Sequence, residues 1–301
     1  MSLLDRAVSL LLPAVPRPIV RHFSSRYIAG PTVEDAFRVV RDLRGGGAMA
    51  TLDILGEFTR SPEEAEVHTA AYQDLARRIS ANGLPDTNIS VKLTAIGLLL
   101  GTELCLANMR RVLATVQALG NFVRIDMEDS RCTDATLSVY RTLRREFPRS
   151  VGIVLQSRLR RTLGDAEELC GEAANFRLCK GIYLEPRAIA YTDPELIRRS
   201  FVLVLEEMFR RGAYVGIATH DETLVWESLR LVRMFGLSPE QYEFQMLLGV
   251  DEELRRILIA SGQRLRVYVP YGEHWYPYSV RRLRENPQIA GYAFRALFRG
   301  T

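Results

Sequence analysis

Eight short apolar runs punctuate this chain, starting about 20–40 residues apart, and the segments between them pair a polar or glycine-containing turn with a helix-compatible stretch. The runs are 48–55, 89–94, 122–127, 152–156, 176–182, 214–218, 242–247 and 265–269. Each is near-continuously apolar, as expected of strands in a parallel sheet covered on both faces. The helices between them carry start signals. Ser61-Pro-Glu-Glu64 and Ser238-Pro-Glu-Gln241 each offer a capping serine, a proline at the first helical position and an acid or amide at the third. Thr32-Val-Glu-Asp35 and Asp193-Pro194-Glu195 read as further starts, and Gly83 and Gly212 are placed to end helices before the next strand.

Eight such units predict an α/β chain closed into a parallel (βα)8 barrel. A doubly wound open sheet competes, but no G-x-G-x-x-G follows the first run; Gly45-Gly-Gly47 precedes it and reads as a loop. No phosphate-binding P-loop sequence is present either.

The 301 residues, 47% hydrophobic and 25% charged, suffice for a sizeable core. The net charge of +4 comes from arginines scattered among acids, so a nucleic-acid partner is not expected. Cys105, Cys132, Cys170 and Cys179 form no C-x-x-C pair and read as free thiols of a reducing cytoplasm. The four histidines, His22, His68, His220 and His274, are too dispersed to suggest a metal site. No run reaches the ~20 apolar residues of a membrane span. The first 20 residues include Asp5, Arg6 and three prolines and lack a basic leader region. They read as an amphipathic helix packed on the body, or one touching a membrane surface.

In a barrel of this kind, chemistry sits at the carboxyl ends of the strands. Those ends carry Asp53 and Glu57, Lys92, Asp126, Gln156, Arg177 and Lys180, Thr219 and His220, Leu247, and Tyr268. Lysine or aspartate inside an apolar run is costly unless paired, which singles out Lys92 and Asp126; a structural ion pair in the mouth is the alternative reading. His220 alone reads as a hydrogen-bonded structural histidine, since no nucleophile accompanies it. Beyond the last strand, Tyr278, Arg281, Arg282 and Glu285 fall within about 100° of one helix face. Paired arginine forks suit a small carboxylate or a phosphate; a solvated basic face is the alternative. Many donors with several acids, and no Ser-His-Asp order, compact metal cluster or isolated carboxylate pair, suit an anionic substrate with a phosphate-bearing cofactor.

In their order along the chain, Gly56-Glu57, Val91-Lys-Leu93, Arg124-Ile-Asp-Met-Glu128, Leu155-Gln156, Arg177-Leu-Cys-Lys-Gly-Ile-Tyr183, Ala218-Thr-His220, Glu243-Phe-Gln-Met-Leu247 and Tyr278-Ser-Val-Arg-Arg-Leu-Arg-Glu285 resemble the proline dehydrogenase family, particularly its short bacterial members. The resemblance implies a distorted (βα)8 TIM barrel with extra N-terminal helices. It divides the chain into an N-terminal helical segment, 1–46, and a catalytic barrel, 47–301, with a C-terminal helix over the site. It implies FAD across the mouth, oxidation of L-proline to Δ1-pyrroline-5-carboxylate, and electrons passed to a membrane quinone by a cytoplasmic protein, with possible peripheral contact at the inner membrane face.

By the same resemblance, Arg281, Arg282 and Lys92 bind the substrate carboxylate and Asp126 orients its amine side. Tyr268, Tyr278 and Leu247 wall the ring, Glu57 pairs with Arg281 over the substrate, and Glu285 holds the arginine forks. Arg177 lies near the reactive edge of the flavin, and Gln156, Lys180, Thr219 and His220 contact the rest of it. No metal is implied. Tyr268 favours proline over hydroxyproline. Two departures are noted: Asn286, where many relatives carry threonine, and a shorter stretch between Tyr268 and Arg281 than in long bifunctional members. The rival readings are another flavin barrel such as a folate-linked reductase, and a non-enzymatic binder of nucleic acid or an acidic partner.

Overall fold

The computed structural model describes residues 26–171, 174–273, 275, 276 and 279. Over them the chain runs α1 (Val33–Gly45), β1 (Met49–Ile54), α2 (Pro62–Ala81), β2 (Thr87–Val91), α3 (Thr102–Ala118), β3 (Val123–Ile125), α4 (Ser130–Glu146), β4 (Val151–Gln156), α5 (Thr162–Leu169), β5 (Asn175–Cys179), α6 (Pro194–Arg210), β6 (Tyr214–Ala218), α7 (Glu222–Phe235), β7 (Tyr242–Leu247), α8 (Glu252–Ala260) and β8 (Leu265–Tyr271). The eight strands pair in parallel in sequence order, and β8 closes on β1. This is the expected (βα)8 barrel.

The start signals act as anticipated at three of four places. Thr32 and Asp35 form a capping box on α1, Ser61 caps α2 with Pro62 at its first position, and Asp193 caps α6. The fourth, at Ser238, is corrected: its capping box closes only a single 3₁₀ turn, Pro239–Gln241, because β7 begins at once with Tyr242. Several strand ends also shift. β2 stops at Val91, leaving Lys92 to cap a 3₁₀ turn at Leu93–Ile96. β5 stops at Cys179, before the left-handed Gly181 (φ 91°). β8 runs on to Tyr271 because Ile54 extends beside it. Pro270 is tolerated there because β7 ends at Leu247, so no β7 residue pairs at its level and its missing N–H is not needed.

Helix α1 departs from the usual order of the fold. It precedes β1, yet its buried face, Ala36, Phe37, Val40 and Leu43, packs against both β1 and β8. That slot ordinarily belongs to the helix after the eighth strand.

The strands are buried on both faces, as their runs suggested, but the two faces differ in chemistry. Residues facing the helices are apolar: Leu52, Ile89, Val91, Ile125, Ile153, Leu178, Ile217, Phe244 and Val267 are all buried. The alternate residues face the lumen, and many are polar. Arg177 of β5 reaches across to Ser90 of β2 at 3.2 Å and lies over the Tyr268 ring of β8 at 5.2 Å. Arg266 of β8 holds Glu243 of β7 at 2.7 Å and the carbonyls of Ala50 and Asp86 at 2.7 and 2.9 Å. Gln245 joins the two groups, donating to Glu243 at 2.6 Å and accepting from Arg177 at 2.5 Å. Arg124 donates to the Asn175 carbonyl at 2.7 Å and stacks on Phe122.

Two glycines make room for these side chains. A Cβ at Gly152 would collide with the Arg124 guanidinium, and one at Gly216 with the Gln245 amide. Buried polar groups are costly unless satisfied, and here they satisfy one another. Burial and the nearby Arg177 charge push Arg124 down to about 9. Burial alone would push Glu243 up, but the Arg266 charge and the hydrogen bonds from Arg266, Gln245 and Tyr214 outweigh it and hold the carboxyl at about 2.

Candidate active site

Four of the residues singled out in the sequence meet at the carboxyl end of the lumen. Lys92 leaves β2 just as the strand stops, and its Nζ donates to both oxygens of Asp53 at 2.7 Å. The same Nζ lies 3.4 Å from the Tyr268 hydroxyl and 3.9 Å from Asp126 Oδ2. Tyr268 donates its hydroxyl to Asp126 Oδ2 at 2.9 Å, while Asp126 Oδ1 accepts from Arg177 at 2.8 Å and from Ser90 at 2.6 Å. Two cations, two carboxylates and one phenol therefore share one network; Asp53, Lys92 and Arg177 are buried, while Tyr268 is half-buried and the Asp126 side chain is 13% exposed. Burial pushes the Asp53 carboxyl up, and the Lys92 ammonium pulls it back.

This floor is charge-balanced rather than cationic: Lys92 faces Asp53 and Arg177 faces Asp126. Excess positive charge appears at the rim, where Asp221 accepts from Lys180 at 3.0 Å and from Arg198 at 2.8 Å. Burial acts against ionisation of Asp221, but the hydrogen bonds and charges of Arg198 and Lys180 prevail and hold its carboxyl below the usual range. Asp221 also caps α7, which fixes both cations relative to the end of β6.

The remaining candidates stand around this floor. Gln156 donates both amide hydrogens to the Met127 and Glu128 carbonyls, at 3.1 and 2.9 Å. Its Oε1 faces Gly181, where a Cβ would stand only 2.6 Å away. The Thr219 hydroxyl accepts from Asp221 N at 3.1 Å. His220 Nε2 accepts from Leu247 N at 3.0 Å, so its ring ties the ends of β6 and β7 together and, as the neutral imidazole, carries its proton on Nδ1. Leu247 and Glu57 are half-buried, Glu57 on the loop after β1. Tyr278, Arg281, Arg282 and Glu285 lie outside the described residues.

Sequence reasoning missed several partners. Asp53 carried the same signal as Lys92, a charge inside an apolar run, but its role emerges only when β1 and β2 pair. Arg198 lies on α6, far from any strand end in sequence. Arg158, just after β4, has a buried Nε with no hydrogen-bond partner among the described residues. Among the described residues, no group of three or more histidines, cysteines or acids could hold a metal ion. The cysteines are free, and burial pushes Cys105 up to about 12 and Cys132 and Cys179 up to about 11, so none has a nucleophile's ionisation.

Comparison with known proteins shows the family and the fold. A family profile described as proline dehydrogenase matches residues 36–293. The chain is 36% identical over 283 residues to proline dehydrogenase of Deinococcus radiodurans, covering 93% of this chain and 91% of that one. It is 35% identical over 274 residues to proline dehydrogenase 1 of Bacillus subtilis, covering 91% and 90%. Among solved structures, proline utilization A from Bdellovibrio bacteriovorus inactivated by N-propargylglycine superposes with a TM-score of 0.81 at 25% identity, over 87% of this chain and 32% of that longer one.

Proposed function

Because the chain belongs to the proline dehydrogenase family and is an enzyme of that activity, we propose that it uses FAD to oxidise L-proline to Δ1-pyrroline-5-carboxylate and delivers the electrons to a membrane quinone. The observation that carries this reading is the convergence of Lys92, Asp126, Tyr268 and Arg177 on one buried floor at the barrel mouth. Proline is a small zwitterion, and a floor offering an ammonium, a carboxylate and an aromatic wall complements it end for end.

In this reading Lys92 takes one oxygen of the substrate carboxylate, and Asp53 beneath it keeps the ammonium charged and aimed. Since Asp53 already balances Lys92, the carboxylate needs further positive charge, which is the part assigned to Arg281 and Arg282. Asp126 faces the amine side, Tyr268, Tyr278 and Leu247 enclose the ring, Glu57 covers it and Glu285 braces the arginines. The hydrogen on the ring carbon beside nitrogen leaves with its electron pair, and the amine proton passes to solvent.

The donor set fits a flavin. Arg177 is anchored through Nε and one terminal nitrogen, Lys180 and Arg198 supply rim cations, Gln156 presents an acceptor, and the buried Arg158 Nε has no partner among the described residues. Arg177, Gln156, Lys180, Thr219 and His220 are the residues that would hold it. When bound, FAD supplies the two-electron acceptor; cationic donors beside it favour its reduced, anionic form.

Among the described residues no helix is long and apolar enough to cross a membrane. Phe58, Leu99, Leu100, Ile182 and Leu184 are exposed on loops at the mouth end of the barrel, which supports peripheral contact of a cytoplasmic protein with the inner membrane face.

A visible spectrum tests the class and substrate together. The purified protein should show a flavin band that bleaches on anaerobic addition of proline and returns with a quinone analogue; a band indifferent to proline rules the reading out. Arg281→Met and Arg282→Met should each raise the proline KM by about 100-fold, the loss of one charge-assisted contact, with the flavin still bound. Wild-type steady-state kinetics in either variant would remove the clamp assignment.

A further inference from the structure

The loop that carries Glu57 is held in an unusual way. Phe58 has φ 57°, the left-handed region, which costs an L-residue about 1–2 kcal/mol and is rare for a bulky side chain. A conformation of this kind persists only where its surroundings impose it. On one side, a side chain at Gly56 would collide with the His68 imidazole of α2, so the chain lies flat against that ring. On the other side everything converges on Thr94. Phe58 N donates to Thr94 Oγ1 at 3.2 Å, and Thr59 donates to the Thr94 carbonyl through its amide at 3.1 Å and its hydroxyl at 2.9 Å.

Thr94 is fixed in turn. Its amide donates to Glu128 Oε1 at 3.1 Å and its hydroxyl to Glu128 Oε2 at 2.5 Å. Glu128 is 2% exposed and Thr94 1%. The hydroxyl of Thr94 is therefore donor to one loop and acceptor from another. Its single proton is committed to the carboxylate, so the lone pair facing Phe58 N–H is fixed in direction. A serine hydroxyl can repeat this; a valine of the same shape cannot.

We propose that Glu128 and Thr94 are positioning residues, a buried carboxylate–hydroxyl relay that keeps Phe58 left-handed and so fixes Glu57 over the mouth. The inference rests on the reading of Glu57 as the residue that covers the substrate. Neither Glu128 nor Thr94 touches the reacting atoms. They act by removing the loop's alternatives, so their loss weakens the hold on substrate more than it slows the chemical step.

Amide exchange and kinetics on the full chain test this together. In Thr94→Val, exchange of the amides of residues 55–60 should quicken about tenfold while β4 and β6 keep their protection. The proline KM should rise about tenfold with kcat falling less than about threefold. Thr94→Ser should restore both. Should Thr94→Val fail to fold, Glu128→Gln reads the same contact, with faster loop exchange expected. Loop exchange equal to wild type, or faster loop exchange without the rise in KM, overturns the proposal. The exchange measurement needs no turnover, so a wild-type protein that failed to respond to proline would count against the functional reading while leaving the relay separately tested.

Discussion

Lys92→Met should cost the folded barrel about 3–5 kcal/mol near neutral pH, because it strands Asp53 as an uncompensated buried charge. Asp53 is fully buried, and both its oxygens accept from Lys92. Burial already pushes its carboxyl up from the ordinary 3.8, and only Lys92 opposes that strongly. Without the ammonium the folded state binds a proton that the unfolded chain releases. The sign follows: a carboxyl raised on folding makes stability fall as pH rises above 3.8 through the raised value. The variant should therefore recover part of its lost stability on acidification towards pH 5, a trend that wild type, whose Asp53 is paired, should show far less. Urea midpoints across that range read the effect directly. Proline kcat/KM should fall by more than about 100-fold at the same time, since the same ammonium is assigned to the substrate carboxylate. A variant as stable as wild type at pH 8 would show that the pair contributes nothing to the fold.

Glu243→Gln tests the deep end of the lumen, away from the mouth. Arg266 is 8% exposed and has one carboxylate partner among the described residues, Glu243, with Nε and a terminal nitrogen at 2.7 and 3.1 Å. Removing that charge should cost about 3–5 kcal/mol. The acid titration gives an independent measure. Glu243 is held at about 2 against an ordinary 4.5, so its contribution is fully present above 4.5 and is lost as pH falls towards 2; a depression of this size corresponds to about 3 kcal/mol. Wild type should lose that increment between pH 4.5 and 2, and Glu243→Gln should not. Parallel acid curves for the two proteins would mean that Glu243 is not the group responsible. Because Gln245 links Glu243 to Arg177, a smaller loss of proline turnover is expected as well.

The two ends of the lumen also explain how much could be read in advance. Strand number, order and closure were legible because each run is bounded by turns and followed by a helix start, and local signals need no partner. Lys92 and Asp126 stood out because a charge in an apolar run is costly wherever the strand ends up. The partners were not legible. Asp53 lies 39 residues before Lys92, and Arg177 lies 51 after Asp126; nothing local records those distances. The polar character of the lumen face was not legible for a related reason. A lumen residue such as Gln245 or Arg266 looks like an interruption until the barrel closes and gives it Arg177 or Glu243.

Taken by itself, the sequence determined the eight parallel strands in order, a set of candidate site residues at their ends and a cationic motif after the last strand. Tertiary structure alone decided that the mouth floor is charge-balanced, that α1 occupies the β8–β1 slot, and that one threonine ties three loops together. Periodicity and capping act within a few residues along the chain, whereas the free energy of a buried charge depends on whichever groups closure of the barrel brings within about 3 Å of it.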